Sequence, residues 1–184
     1  MGKDLSLSQR HRLKEKEARE VLEKAAANLG NIELTVFMKG IEVSRIDPQS
    51  EVFLADGTPV FVAAAGEVFP TLLNREVLDR LPTLTVDRGA VPHICNGADL
   101  MAPGIVKIVG EFQAGVIAVV VDEGFSKPIA LVKTLYNSHE MSEKKQGKVA
   151  RNFHYVGDKF WKTFKQMKNR VCVSEVSNSV NNYL

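Results

Sequence analysis

From Gly30 to Val156 the chain alternates short segments rich in β-branched and aromatic residues with turn signals. That pattern suits small sheets with tight corners. Ile32–Met38, Ile41–Ile46, Glu51–Leu54 and Val60–Ala65 read as strands, separated by Lys39-Gly40, Asp47-Pro48 and Asp56-Gly57. The last pair, between two apolar stretches, predicts a two-residue hairpin. Two helices flank this group. One is expected from a cap at Ser6 or Ser8 to about Asn28, with Leu13, Ala18, Val21, Leu22, Ala25 and Leu29 near helical spacing and Gly30 as its stop. The other is expected over Thr71–Leu81. Residues 1–80 therefore read as a small α+β domain, with Leu81-Pro82 as the seam.

The second half is denser in strands. Thr83–Asp87, Ile105–Val109, Gly115–Asp122, Ile129–Asn137 and Lys148–Val156 are apolar or alternating, with glycine at most joints. Gly89–Asn96 and Ser138–Gly147 offer short helices. Short strands with glycine corners suggest a small closed or half-open barrel.

Several functions are disfavoured. Val116–Val121 is far shorter than the roughly 20 residues a membrane helix needs. Met1–Lys24 carries charge of both signs and no apolar centre, unlike a signal peptide. Cys95 and Cys172 form no CxxC and have no histidine at ligand spacing, so neither a metal site nor a disulfide framework is expected. A reducing cytoplasm is the default location. His11, His93, His139 and His154 have no nucleophile partner in a recognisable context, and no glycine-rich phosphate loop occurs. No catalytic residue, cofactor or metal is expected, and Asp122-Glu123 reads as a polar turn. The net charge of +2 is uneven: Lys144–Leu184 holds nine Lys/Arg against Asp158 and Glu175. A basic end on an acidic body fits a chain that meets phosphates, and it fits a solvated tail as well.

The informative stretch is V-D-R-G-A-V-P-H-I-C-N-G-A-D-L-M-A-P-G-I, residues 86–105. Gly89, Ala90, Gly97, Ala98, Pro103 and Gly104 leave backbone uncovered, so a nucleic-acid strand could approach closely. Free N–H groups at the start of the short helix after Arg88 would suit phosphate oxygens. The same small residues would also let a helix pack tightly on a barrel, and pattern alone does not separate the two.

Residues 86–105 resemble the signature of PUA domains, named for pseudouridine synthases and archaeosine transglycosylases. Val116–Asp122, Ile129–Leu135 and residues 147–161 (G-K-V-A-R-N-F-H-Y-V-G-D-K-F-W) match the later strands in order. F-P-T-L at 69–72, M-A-P-G at 101–104 and H-Y-V-G-D-K-F-W at 154–161 make the chain similar to the malignant T-cell-amplified sequence family and its archaeal relatives. The resemblance implies an N-terminal α+β (pre-PUA) domain over 1–80 and a mostly-β PUA pseudo-barrel over 81–164; residues 165–184, which it does not cover, read as a basic, polar extension.

What the resemblance implies about function is recognition of structured RNA, a tRNA or small-subunit ribosomal RNA, without catalysis. Partners would include the small ribosomal subunit and a translation factor; in eukaryotic members that partner is the density-regulated protein. The implied surface comprises Arg88, Gly89, Ala90, Val91, Gly97, Ala98, Asp99, Met101, Gly104, Lys148, Arg151 and His154. Arg88, Lys148 and Arg151 are the expected phosphate contacts, and Asp99 is expected to organise its loop. Either His154 or Tyr155 must face the core, since neighbours on a strand point apart. Phe160 and Trp161 read as a plug of the barrel. Lys159, Lys162, Lys165, Lys168 and Arg170 could extend a basic face. Two rival readings are an accessory subunit that delivers RNA to a modification enzyme and a module that docks a translation factor.

Overall fold

The computed structural model describes residues 10–37 and 40–167. Ser6, Ser8, Met38, Lys39, Lys168, Arg170 and Cys172, each named above, lie outside them. Two sheets carry the architecture, an α+β half followed by a mostly-β half, as the sequence predicts. The first sheet has the order β1-β2-β3-β4-β5 and is an antiparallel meander of β1 (His11–Arg12), β2 (Glu42–Asp47), β3 (Ser50–Ala55), β4 (Thr58–Ala64) and β5 (Glu67–Pro70). The second has the order β7-β11-β10-β9-β6-β8, built from β6 (Thr83–Val86), β7 (Leu100–Met101), β8 (Ile105–Val109), β9 (Ile117–Asp122), β10 (Pro128–Thr134) and β11 (Lys148–Tyr155). Among the described residues only β6 and β9 run parallel.

Helix α1 (Glu15–Asn28) starts later than a cap at Ser6 or Ser8 would place it, because His11 and Arg12 pair with β2 instead. Lys14 precedes it, and its N–H donates to the Glu17 carboxylate at 2.8 Å. At the far end Gly30 takes a φ of +75°, and Asn31 N donates back to Ala26 O, so the expected glycine stop is present. Ala18, Leu22 and Ala25 face the first sheet.

The Asp56-Gly57 hairpin forms as predicted: both residues have positive φ, +47° and +76°, and Ala55 pairs with Thr58. Two other expectations fail. Ile32–Phe37, the described part of the expected strand Ile32–Met38, makes no strand; residues Thr35–Phe37 form a 3₁₀ turn whose Phe37 packs edge-on against Phe61 at 5.3 Å. Leu34 and Phe37 there serve packing, while Val36 stays exposed. The helix expected over Thr71–Leu81 shrinks to α2 (Arg75–Leu78). Thr71 N and Oγ1 donate to Val60 O and Pro59 O, and Asn74 caps α2, so residues 71–74 are held against β4.

The shorter helices α3 (Ala90–Ile94) and α4 (Ser138–Glu143) fall where expected. A final helix, α5, covers residues 159–167. Asp122 closes the β9–β10 turn as foreseen, with its carboxylate accepting from Phe125 N and Lys127 N.

Strand alternation gives β9 and β10 two loyalties. Ala118, Val120, Ala130 and Val132 belong to the core of the second half, with Leu84, Ile94 and Val149. Ile117, Val119, Val121 and Leu131 point the other way and join Leu22, Phe61 and Leu78 of the first half in one continuous apolar cluster. Phe160 and Phe164 of α5 complete that same cluster, stacked at 6.4 Å. Of the two aromatics expected to plug the barrel, Phe160 instead seals the contact between the halves together with Phe164, and Trp161 packs at its margin. Lys133–Glu67 and Lys159–Asp47 ion pairs, at 2.7 and 3.0 Å, cross the same contact. Among the described residues no helix is long and apolar enough to cross a membrane.

Candidate nucleic-acid interface

Helix α3, the loop after it, β7 and the 3₁₀ turn at Ala102–Gly104 enclose a groove of about 530 Å³. Gly89, Ala90, Ala98, Asp99, Met101 and Gly104, all predicted from the sequence, line it. Its walls are close because they lack side chains: a Cβ added at Gly104 would lie 3.0 Å from Ala90 Cβ. Met101 is exposed at the rim. Pro103, one of the small backbone-baring set, lines it as well, as do Asp87 and His93, which the sequence did not place there.

The loop at one wall is held by β11. Asp99 accepts from Asn152 N at 3.0 Å and pairs with Lys148 at 3.1 Å, which brings Lys148 to the groove. Burial would raise the Asp99 carboxyl; the Asn152 N–H, the Lys148 ammonium and the charge of Arg151 outweigh it and hold the group below the ordinary carboxylate range. The loop-organising role expected of Asp99 is therefore present. Asn152 does more: its side-chain amide donates to Ile94 O and Ala98 O, pinning α3 and the loop to the strand. A polar asparagine in the middle of an otherwise strand-forming segment was the available signal.

The remaining predicted residues go elsewhere. Gly97 sits outside the groove lining, under the Tyr155 ring, with a φ of +88°. Val91 packs against the second core. Arg88 turns its guanidinium toward Gly124 in the β9–β10 turn. Arg151 lines a separate cleft of about 500 Å³ between the halves, beside Gln49, Phe69, Lys133 and Lys159.

His154 is fully buried, so its expected place on the RNA-binding surface is corrected. Its Nδ1 lies 2.7 Å from Asp158, and its Nε2 accepts from Leu72 N at 3.4 Å. The free N–H groups expected at the start of α3 are partly spent within the protein. Arg88 N donates to Glu123 and Ala90 N to Asp87. Recognition at that end therefore falls to side chains and to shape. Among the described residues no cluster of His, Cys, Asp and Glu could hold a metal ion.

Gly97→Ala tests the loop. The added methyl would meet the Tyr155 ring at 3.0–3.2 Å in a backbone conformation L-residues resist. A loss of about 2 kcal/mol in urea unfolding is expected, with a displaced Tyr155 ring resonance in NMR spectra; an unperturbed ring would refute the close contact.

Comparison with known proteins follows this geometry. Residues 82–156 match the PUA domain and residues 9–74 a domain of unknown function, DUF1947. An uncharacterized protein of Methanocaldococcus jannaschii is 34% identical over 160 residues, which are 85% of this chain and 98% of that one. Malignant T-cell-amplified sequence 1 of Rattus norvegicus is 26% identical over 132 residues, 68% of this chain and 72% of its own. The chain belongs with the Methanocaldococcus jannaschii protein to a family that joins a DUF1947 domain to a PUA domain, and it is similar to malignant T-cell-amplified sequence 1. Also similar is translation machinery-associated protein 20 of Schizosaccharomyces pombe, 34% identical over 103 residues, 53% of this chain and 57% of that protein. Among solved structures, a PUA-domain protein of Aeropyrum pernix crystallised with tartrate is 26% identical, with a TM-score of 0.75 over 85% of this chain and 91% of its own. The family's two-part arrangement, DUF1947 then PUA, thus corresponds to the two sheets described above.

Proposed function

We propose that this family member is a non-catalytic, cytoplasmic RNA-binding protein of the translation machinery. Its PUA half would hold structured RNA, a tRNA end or small-subunit ribosomal RNA, in the groove beside α3. The single observation that carries this reading is the groove itself. Gly89, Ala90, Ala98, Pro103 and Gly104 leave much of its wall bare, so a sugar–phosphate strand can lie against backbone, and Lys148 stands at its edge beside Asp99. Support comes also from the similarity to translation machinery-associated protein 20. Arg88 and Arg151, which do not line the groove, would meet phosphates outside it rather than within it. The small ribosomal subunit and a translation factor are the partners this reading implies, the factor docking on the DUF1947 half.

Phosphate contacts release counterions, so affinity should fall steeply with salt. The double charge reversal Arg88→Glu, Lys148→Glu is expected to weaken tRNA binding on the order of 10–100-fold at low salt. It should also reduce the slope of log affinity against log salt by about two. Fluorescence anisotropy with labelled tRNA and with a small-subunit rRNA fragment measures both. Equal affinity and slope in variant and wild type would remove the groove assignment.

A further inference from the structure

Phe125, at the tip of the β9–β10 turn, is 80% exposed, more than any other large hydrophobic side chain among the described residues. Exposure of one aromatic ring is ordinary for a floppy loop, but this loop is not floppy. Asp122 Oδ1 accepts from Phe125 N at 2.7 Å and its Oδ2 from Lys127 N at 3.0 Å; Ser126 N donates to Asp122 O. Ser126 is held at a φ of +52°, which a non-glycine residue adopts only under local constraint. Glu123 N is tied to Val86 O on β6. The turn is thus built to present the ring to solvent.

Cations stand beside that ring. Lys127 Nζ lies 5.6 Å from its centroid. The Arg88 guanidinium approaches Gly124, where a Cβ would sit 3.7 Å from its Nη2, so the glycine leaves room for it. The nearby acids are engaged by backbone donors: Asp122 serves those of its turn, Glu123 accepts from Arg88 N, and Asp87 from Ala90 N. Among the described residues neither Arg88 nor Lys127 forms an ion pair. The tip also adjoins the groove. Its Glu123 binds the Arg88 backbone, and the next residue, Gly89, lines the groove wall.

We infer that this tip is a stacking platform for one unpaired nucleobase, with Phe125 as the ring and Lys127 and Arg88 as contacts to the adjoining phosphates. The inference rests on the RNA-binding reading above and adds to it a preference for RNA with an unpaired nucleotide next to the paired segment. Every base offers a π face, so such a platform adds affinity without reading sequence. A fully paired end keeps its bases stacked on one another and gives the ring nothing to cover.

Two RNA hairpins test this, one with a short single-stranded tail and one blunt, titrated against the full chain. Wild type should prefer the tailed hairpin. Phe125→Ala should lose on the order of tenfold for the tailed hairpin and nothing for the blunt one. It should leave the salt slope intact, because no phosphate contact goes with the ring. Lys127→Ala should lower that slope by about one. Phe125→Trp should keep the preference, and its added fluorescence should be quenched by the tailed hairpin alone. Being exposed, both positions tolerate replacement without loss of fold. Tailed-hairpin affinity unchanged in Phe125→Ala, while Lys148→Glu still weakens binding, overturns the platform and spares the groove. Failure of folded wild type to bind either hairpin overturns the RNA reading and the platform together.

Discussion

Phe164→Ala is expected to lower the unfolding free energy by about 3–5 kcal/mol, a large share of the 5–15 kcal/mol typical of natural domains. Phe164 is fully buried, stacks with Phe160 and meets the His154 ring edge-on at 6.1 Å. Its loss opens a cavity where α5, β11 and the first sheet converge. Because Ile117, Val119 and Leu131 share that cluster with Phe61 and Leu78, the damage should not stay in one half. Urea unfolding followed by Trp161 fluorescence and by far-ultraviolet circular dichroism should shift together as one transition. Two separated transitions, or a loss below about 1 kcal/mol, would contradict a core shared between the halves.

The second large effect concerns His154 and Asp158. Since His154 Nε2 accepts the Leu72 N–H, the hydrogen-bond network assigns the ring as neutral, with Nδ1–H donating to Asp158. His154→Leu leaves Leu72 N buried without its acceptor and removes one donor from a buried carboxylate. About 2–4 kcal/mol should be lost.

Asp158 adds a pH signature. Burial pushes its carboxyl up, but hydrogen bonds from His154, Trp161 N and Tyr155 N prevail and hold it below its ordinary value. The folded form is thus the stronger acid. Its contribution is fully present above the unfolded carboxyl value of about 3.9 and is lost as pH falls through the lower folded value. Asp158→Asn cannot titrate there. The stability gap between wild type and Asp158→Asn should therefore be widest at neutral pH and narrow below about pH 4. Asp47, Asp99 and Asp122, also held low, act alike in both proteins and cancel. A gap constant from pH 7 to pH 3 would show that Asp158 does not titrate as described.

What the sequence disclosed followed from local chemistry. Asp56-Gly57 announces its turn because both residues accept positive φ, and Ile105–Val109 shows its strand by composition alone. The β4–β5 turn uses the same geometry at Ala65-Gly66, but alanine at φ +52° carries no such signal, and β5 went unread. The helical spacing of Leu72, Leu73, Val77 and Leu78 was real, yet Thr71 and Asn74 spend their hydrogen bonds on β4.

The site divided in the same way. Glycine and alanine between Gly89 and Gly104 mark a bare groove wall wherever the chain puts it, so that wall was legible. Side-chain direction was not. Whether His154 faces core or solvent depends on the irregular pairing between Leu131 and Val132, where β10 and β11 slip register. Arg88 leans toward Gly124 because a turn 35 residues away leaves it space.

The shared core also bears on how the protein is made. A nascent chain that has delivered β1 to β5 and α2 still lacks Ile117, Val119, Leu131, Phe160 and Phe164, the side chains that cover the inner face of its sheet. At roughly 5–20 residues per second, the wait from Leu81 to Phe164 lasts roughly 4–17 s. During that interval the N-terminal half is a sticky, unfinished surface on the ribosome. A transcript ending near the seam would yield a polypeptide fated for chaperones or proteolysis rather than a working half.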